Sequence, residues 1–195
     1  MPTFSAIHSV GDSVATYLQR TYPADLQRRF PCTFQLASGP ELSGEGGPTG
    51  QATLFLYRIG VNPHLRNVTR RDPLMRQRAP LNLDLHYLLT VWQDHALAEN
   101  VVFGWVLQQL NEHPVLDSSL LSPDGGWRPE DSVELLMEDL SSQDLFHIWD
   151  RLKPSYRLSV GYLARVVRID SLPEADTLPV VGARFGYGVR GGNSD

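Results

Sequence analysis

The hydrophobic pattern of the chain switches period between Leu140 and Ile169, a stretch reading LSSQDLFHIWDRLKPSYRLSVGYLARVVRI. In its first half Leu145, Ile148, Trp149 and Leu152 fall at i, i+3, i+4 and i+7, the apolar stripe of an amphipathic helix. Ser141 stands where its hydroxyl can cap free N–H groups. Asp144 lies in the first turn, where negative charge is favoured. Pro154 ends the helix, because the residue before a proline is pushed out of helical geometry. The period then becomes two. Tyr156, Leu158, Val160, Tyr162 and Val166 are expected on one face of a strand, with Arg157, Ser159, Gly161 and Arg165 on the other. A capped helix feeding a long strand is a core unit, and it carries no evident catalytic apparatus.

The same reading places a first helix over residues 4–20, with Ile7, Val10, Val14 and Leu18 on one stripe and Gly11 beside it, where another element can approach closely. A short turn bracketed by Pro23 and Pro31 leads to a brief strand from Cys32 to Leu36. Residues 38–50 (SGPELSGEGGPTG) read as a loop. Ala52 to Ile59 is apolar on both faces and so belongs centrally in a sheet. Residues 81–92 form the clearest strand, with Leu81, Leu83, Leu85, Tyr87, Leu89 and Val91 alternating against Asn82, Asp84, His86, Leu88, Thr90 and Trp92. A helix from Ala96 to about Glu112 is apolar around most of its circumference and is expected to be the most buried helix, lying across the sheet. An irregular connection over 115–130 precedes a short strand from Val133 to Met137. The expected architecture is α+β: a mainly antiparallel sheet with about three helices gathered on one side, long loops, and an extended C-terminal arm. Residues 1–170 form the domain. Residues 171–195, rich in glycine and proline, form the arm.

A chain of 195 residues is long enough to bury a sizeable core. Its net charge of -5 argues against a general nucleic-acid binder, whose domain is normally basic. The single cysteine, Cys32, forms no internal disulfide and fits a reducing compartment. No apolar run approaches a membrane span and no signal sequence is visible, so synthesis in the cytoplasm is expected. Sixteen arginines stand against one lysine, Lys153, a skew that suits fixed ion pairs but also follows from a GC-rich genome.

Catalytic patterns are sparse. Asp84 and His86 share a strand face and could converge on a metal or a proton, yet no third ligand has a recognisable spacing. Glu134, Glu138 and Asp139 flank a helix start, where acids are expected anyway. There is no phosphate loop, dinucleotide fingerprint or nucleophile elbow. The segment from Asn62 to Pro80 is different. It carries Arg66, Arg70, Arg71, Arg76 and Arg78 with few apolar residues, and reads as a long exposed loop that contacts an acidic protein surface. It lacks aromatic residues for stacking on nucleic acid.

PLNLDLHYLLTVW, AENVVFGWVLQQLNEHPVL and VELLMEDLSSQDLFHIWDRLKPSYRLSVGYLARVVRID, with IHSVGDSVATYLQR near the start, resemble the cap (tail-terminator) family of phage-tail-like extracellular contractile injection systems. The most specific piece is W-x-x-L-x-x-x-Y-R-L-S-V-x-Y, Trp149 to Tyr162. The resemblance implies no enzyme, cofactor or metal. It implies a structural subunit forming a homo-hexameric ring at the distal end of a tube and sheath, ending polymerisation and anchoring the last sheath layer, without nucleic acid or membrane as partner. The particle it joins can be released from the cell. An open filament presents a self-complementary end, and a terminator must match that end on one face only. Val180, Val181, Phe185 and Tyr187 are candidate anchors through which the arm adds a strand to a neighbour's sheet. Two competing readings are a baseplate or tube adaptor that starts assembly, and a small metal-dependent hydrolase built on Asp84 and His86.

Overall fold

The computed structural model describes residues 2–43, 47–65, 80–152 and 155–170. Among these the chain runs α1 (Ala6–Thr21), α2 (Ala24–Arg29), β1 (Thr33–Ala37), α3 (Gly39–Leu42), β2 (Gln51–Val61), β3 (Leu81–Trp92), α4 (Ala96–Glu112), β4 (Val115–Leu116), a 3-10 turn (Pro123–Gly125), β5 (Val133–Glu138), α5 (Ser142–Leu152) and β6 (Ser159–Ile169). The strands make one sheet in the order β1-β2-β3-β6-β5-β4. β1 runs parallel to β2, and every other neighbouring pair is antiparallel. The fold is α+β. The two short helices lie where the sequence reads as turn and loop, too brief to leave a helical period; Ser38 and Glu41 form a capping box at the start of α3.

β3 is the middle of the sheet, hydrogen-bonded to β2 on one side and β6 on the other. Its Leu83, Leu85, Tyr87, Leu89 and Val91 pack with Val10, Val14 and Leu18 of α1 and with Val102, Phe103, Val106 and Leu110 of α4. Its Leu88 and Trp92 point the other way, into a second core with Leu42, Trp149 and Leu152. The Trp92 and Trp149 rings meet edge-on, 5.7 Å between centroids. The helices therefore flank both faces instead of gathering on one. The stripe on α5 needs an apolar surface, and α1 and α4 already fill the first face. The α5 cap forms as expected: the Asp144 N–H donates to Ser141 Oγ at 3.1 Å and the Ser141 hydroxyl donates to Asp144 Oδ2 at 2.6 Å.

Two further expectations change. α1, not α4, is the most buried helix. Nine of its residues are buried, while α4 buries Val102, Phe103, Val106 and Leu110 and leaves Leu97 68% exposed. An apolar circumference does not say which stripe meets the sheet, and a helix lying on one face can bury only one. β6 begins at Ser159, so Tyr156 and Leu158 precede it and stay exposed. Where β3 advances from Leu83 to Leu85, β6 steps from Val167 to Ala164, and the extra residue turns Val167 into the core in place of Val166.

The irregular connection between β4 and β5 is held to α1 by a polar clasp. Ser9 Oγ donates to the Ser122 carbonyl at 2.8 Å and receives the Trp127 indole N–H at 2.8 Å. The Ser122 N–H donates to Ser13 Oγ at 2.7 Å, whose own hydrogen goes to the Ser9 carbonyl at 2.6 Å. Gly11, between these serines, lies so close to β1 that a Cβ there would collide with the Leu36 side chain.

This packing predicts a sharp contrast in urea unfolding. Leu89→Ala, at a fully buried position, is expected to cost about 2–5 kcal/mol, and Leu97→Ala no more than about 0.5 kcal/mol. Equal costs would mean that α4 presents a different stripe to the sheet.

Candidate functional site

The sites singled out by sequence lie mainly outside the described residues. This holds for Arg66, Arg70, Arg71, Arg76 and Arg78 of the basic loop and for Val180, Val181, Phe185 and Tyr187 of the arm. The structure does define where the loop departs. Asn62, buried at the end of β2, accepts the His64 and Leu65 N–H groups on its Oδ1, each at 3.1 Å. Its Nδ2 donates to Asp84 Oδ1 at 2.9 Å. Asp84 thus anchors the turn that opens the loop.

His86 makes a different set of contacts, so the Asp84–His86 pair does not converge. The His86 Nδ1 lies 3.0 Å from both oxygens of Glu138 on β5, and the Tyr57 hydroxyl donates to Glu138 Oε2 at 2.9 Å. Burial, and then the Glu138 carboxylate beside it, push the Tyr57 hydroxyl far above its ordinary pKa. With Tyr57 on β2, His86 on β3 and Glu138 on β5, the triad ties three strands together below the second core. Its groups satisfy one another, the usual condition for polar side chains taken out of water. Among the described residues no group of three or more His, Cys, Asp or Glu side chains could hold a metal ion. Glu134 meets Arg165 at 3.2 Å on the surface, where such a pair contributes little.

Cys32 has no catalytic setting either. It is buried, and that burial pushes its thiol up to about 12, which leaves almost no thiolate near neutral pH. A cavity of about 10 Å³ between α1 and the sheet, lined by Val14, Leu54 and Leu135 among others, has room for one water at most. No helix among the described residues is long and apolar enough to cross a membrane.

What the chain does present is surface. Phe146 and Tyr156 stack edge-on at 5.4 Å, both about half exposed, with Trp149 6.3 Å from Tyr156. Ile59, Val61 and Leu81 form an apolar group at one end of the sheet. Sequence reading missed the first group because it placed Tyr156 inside the strand, and the second because an alternating strand looks the same whether or not a helix covers it. It also missed Asp170, which is 2.8 Å from Arg128 and 2.7 Å from Arg168 and whose N–H donates to the Pro2 carbonyl. No spacing signal links those residues.

Comparison with known proteins gives this surface-built molecule its class. The chain matches the Pvc16 N-terminal domain over residues 9–182 and belongs to that family. Its fold is similar to that of the PVC sheath/tube terminator of an extracellular contractile injection system, solved in the extended state. The TM-score is 0.55 and the identity 18%, over 99% of this chain and 65% of that one. The tube-terminating cap of the anti-feeding prophage is similar at 21% identity and a TM-score of 0.45, over 69% of this chain and 48% of that one. The chain thus spans about two thirds of the length of the first terminator and about half of the second. No curated protein matches it by sequence.

Two outcomes are expected from the buried side chains. Cys32 should react with a thiol reagent at pH 8 only as fast as the protein unfolds; rapid labelling of the folded chain would mean an exposed thiol. The double variant Asp84→Ala/His86→Ala should carry no less zinc than the parent while losing about 1–3 kcal/mol, because Asn62 and Glu138 each lose a buried partner. A drop in stoichiometric metal would reveal a site.

Proposed function

We propose that this chain is a structural cap that forms a ring at the distal end of a contractile injection system, ends tube and sheath growth, and anchors the last sheath layer. The observation that carries the reading is the likeness in fold to a sheath/tube terminator across 99% of this chain, together with membership of the Pvc16 N-terminal domain family. The chemistry of the surface supports it. The titratable groups His86, Glu138, Tyr57 and Asp84 hold strands and turns together, and apolar side chains stand on the outside. Such a molecule acts through complementarity to neighbours, not through bond making.

The ring is a homo-hexamer, a closed symmetry that lets one subunit type end a filament without offering it a fresh start. Its neighbours are the sheath and inner-tube proteins. The subunit is made in the cytoplasm and leaves the cell, where it does so, as part of the particle. Arg66, Arg70, Arg71, Arg76 and Arg78 contact an acidic protein surface at this junction, since guanidinium groups make paired hydrogen bonds to carboxylates. Residues 171–195 act as an arm that adds a strand to a sheet, with Val180, Val181, Phe185 and Tyr187 as side-chain anchors.

Electron microscopy of particles from cells lacking this chain tests the reading. The expected result is tubes or sheaths of uncontrolled or unstable length, and the same in cells carrying a chain cut after Ala175 if that shortened chain is made and folded. Complete absence of particles would instead assign it to the initiating end.

A further inference from the structure

β2 is only half covered on its outer side. β1 pairs with it from Gln51 to Phe55, and among the described residues no strand lies beside Leu56–Val61. The Asn62 N–H donates to the Asn82 carbonyl. By the alternation of an antiparallel ladder, the N–H and C=O groups of Ile59 and Val61 therefore turn away from β3 toward the open side. Their side chains are 48% and 53% exposed, although the partners facing them across the ladder, Leu85 and Leu83, are buried. An edge with free backbone groups, apolar side chains and neither proline nor inward charge among Ile59, Gly60 and Val61 is a template for another strand.

We propose that the segment Leu178–Val189 of this chain occupies that edge, extending the sheet beyond β2. The inference rests on the reading above only in treating the arm as a strand donor; it names the edge that receives it. Three observations favour this occupant. First, the segment reads LPVVGARFGYGV, in which Val181, Ala183, Phe185, Tyr187 and Val189 recur with period two while Gly182, Arg184, Gly186 and Gly188 fill the alternate positions. One face would continue the apolar group of Ile59, Val61 and Leu81, and the other would be small or charged from Gly182 onward, with Leu178 and Val180 ahead of it. Second, the arm starts level with the edge: Ile169 at the end of β6 pairs with Leu81, next to the Asn82 that faces Asn62. Third, it reaches. The empty position lies three strand spacings from β6, about 14 Å. Residues 170–177 can span up to roughly 26 Å when extended. The basic loop between β2 and β3 suits the position poorly, because its run of arginines leaves no period-two apolar face.

Amide hydrogen exchange on the full chain tests this without assembled particles, so its outcome is separate from that of the capping experiment. The amides of Ile59 and Val61 are expected to exchange at least about tenfold more slowly in the full chain than in a chain ending at Ala175, with those of Leu85 and Leu89 unchanged as a control for folding. The full-length variant Val181→Asp/Phe185→Asp should reproduce the loss of protection. Protection that is independent of protein concentration supports pairing within one chain. Three results would overturn the proposal: equal exchange in all three proteins, protection that appears only as concentration rises and so assigns the donor to a second copy, or protection that appears only when sheath protein is added.

Discussion

Between Leu85 and Trp92 β3 carries large apolar side chains on both faces, so neither face can be left to water. Burying a leucine or aromatic side chain is worth roughly 1.5–3 kcal/mol, and a strand with such residues on each side requires a layer above and a layer below. That single demand explains the placement of most of the chain. α1 and α4 meet one face and α3 and α5 meet the other. Some of the polar groups that fall inside are paired across elements: Trp92 Nε1 donates to Thr53, and Thr90 bonds Ser159. Others, the Tyr17 and Tyr162 hydroxyls and Trp149 Nε1, have no hydrogen-bond partner among the described residues.

The longer strands and helices up to α5 were legible in the sequence to within a residue or two, because periods of 2 and 3.6 survive where one stripe alone must be buried. α1, with Val10, Val14 and Leu18, shows this, and so does the α5 stripe of Leu145, Ile148, Trp149 and Leu152. α3 and β4, by contrast, were read as loop and irregular connection, and β6 starts three residues later than expected. Arrangement was less legible. Leu88, Thr90 and Trp92 on the second face of β3 marked a strand covered twice, and α5 with its own narrow stripe supplied the second cover. An extra residue in β6 shifted Val167 inward, which no alternation rule anticipates. The polar clusters depend on contacts between positions far apart in sequence: Tyr57 meets Glu138 across 81 positions and Ser9 meets Ser122 across 113. Such partners leave no local spacing to read.

Function was legible in a different way. Asp84, His86, Glu138 and Cys32 look like fragments of an active site when read along the chain, yet three-dimensional contacts assign each to holding the structure. The resemblance carried by Trp149 to Tyr162 pointed instead to a structural family, in agreement with the match to the Pvc16 N-terminal domain. It works because that stretch joins the α5 stripe to the start of β6 and so encodes a packing arrangement, not a reaction.

The serine clasp also bears on how the molecule comes into being. α1 packs against β1 nearby in the chain, but the polar partners of its Ser9 and Ser13 are Ser122 and Trp127, more than a hundred positions away. α1 can therefore meet β1 early, while the clasp closes only with the connection after β4, and contacts this distant in sequence slow folding. A chain stopped short of Ser122 would therefore keep the apolar stripe of α1 covered by β1 and leave the hydroxyls of Ser9 and Ser13 without the partners that fix the connection to the helix.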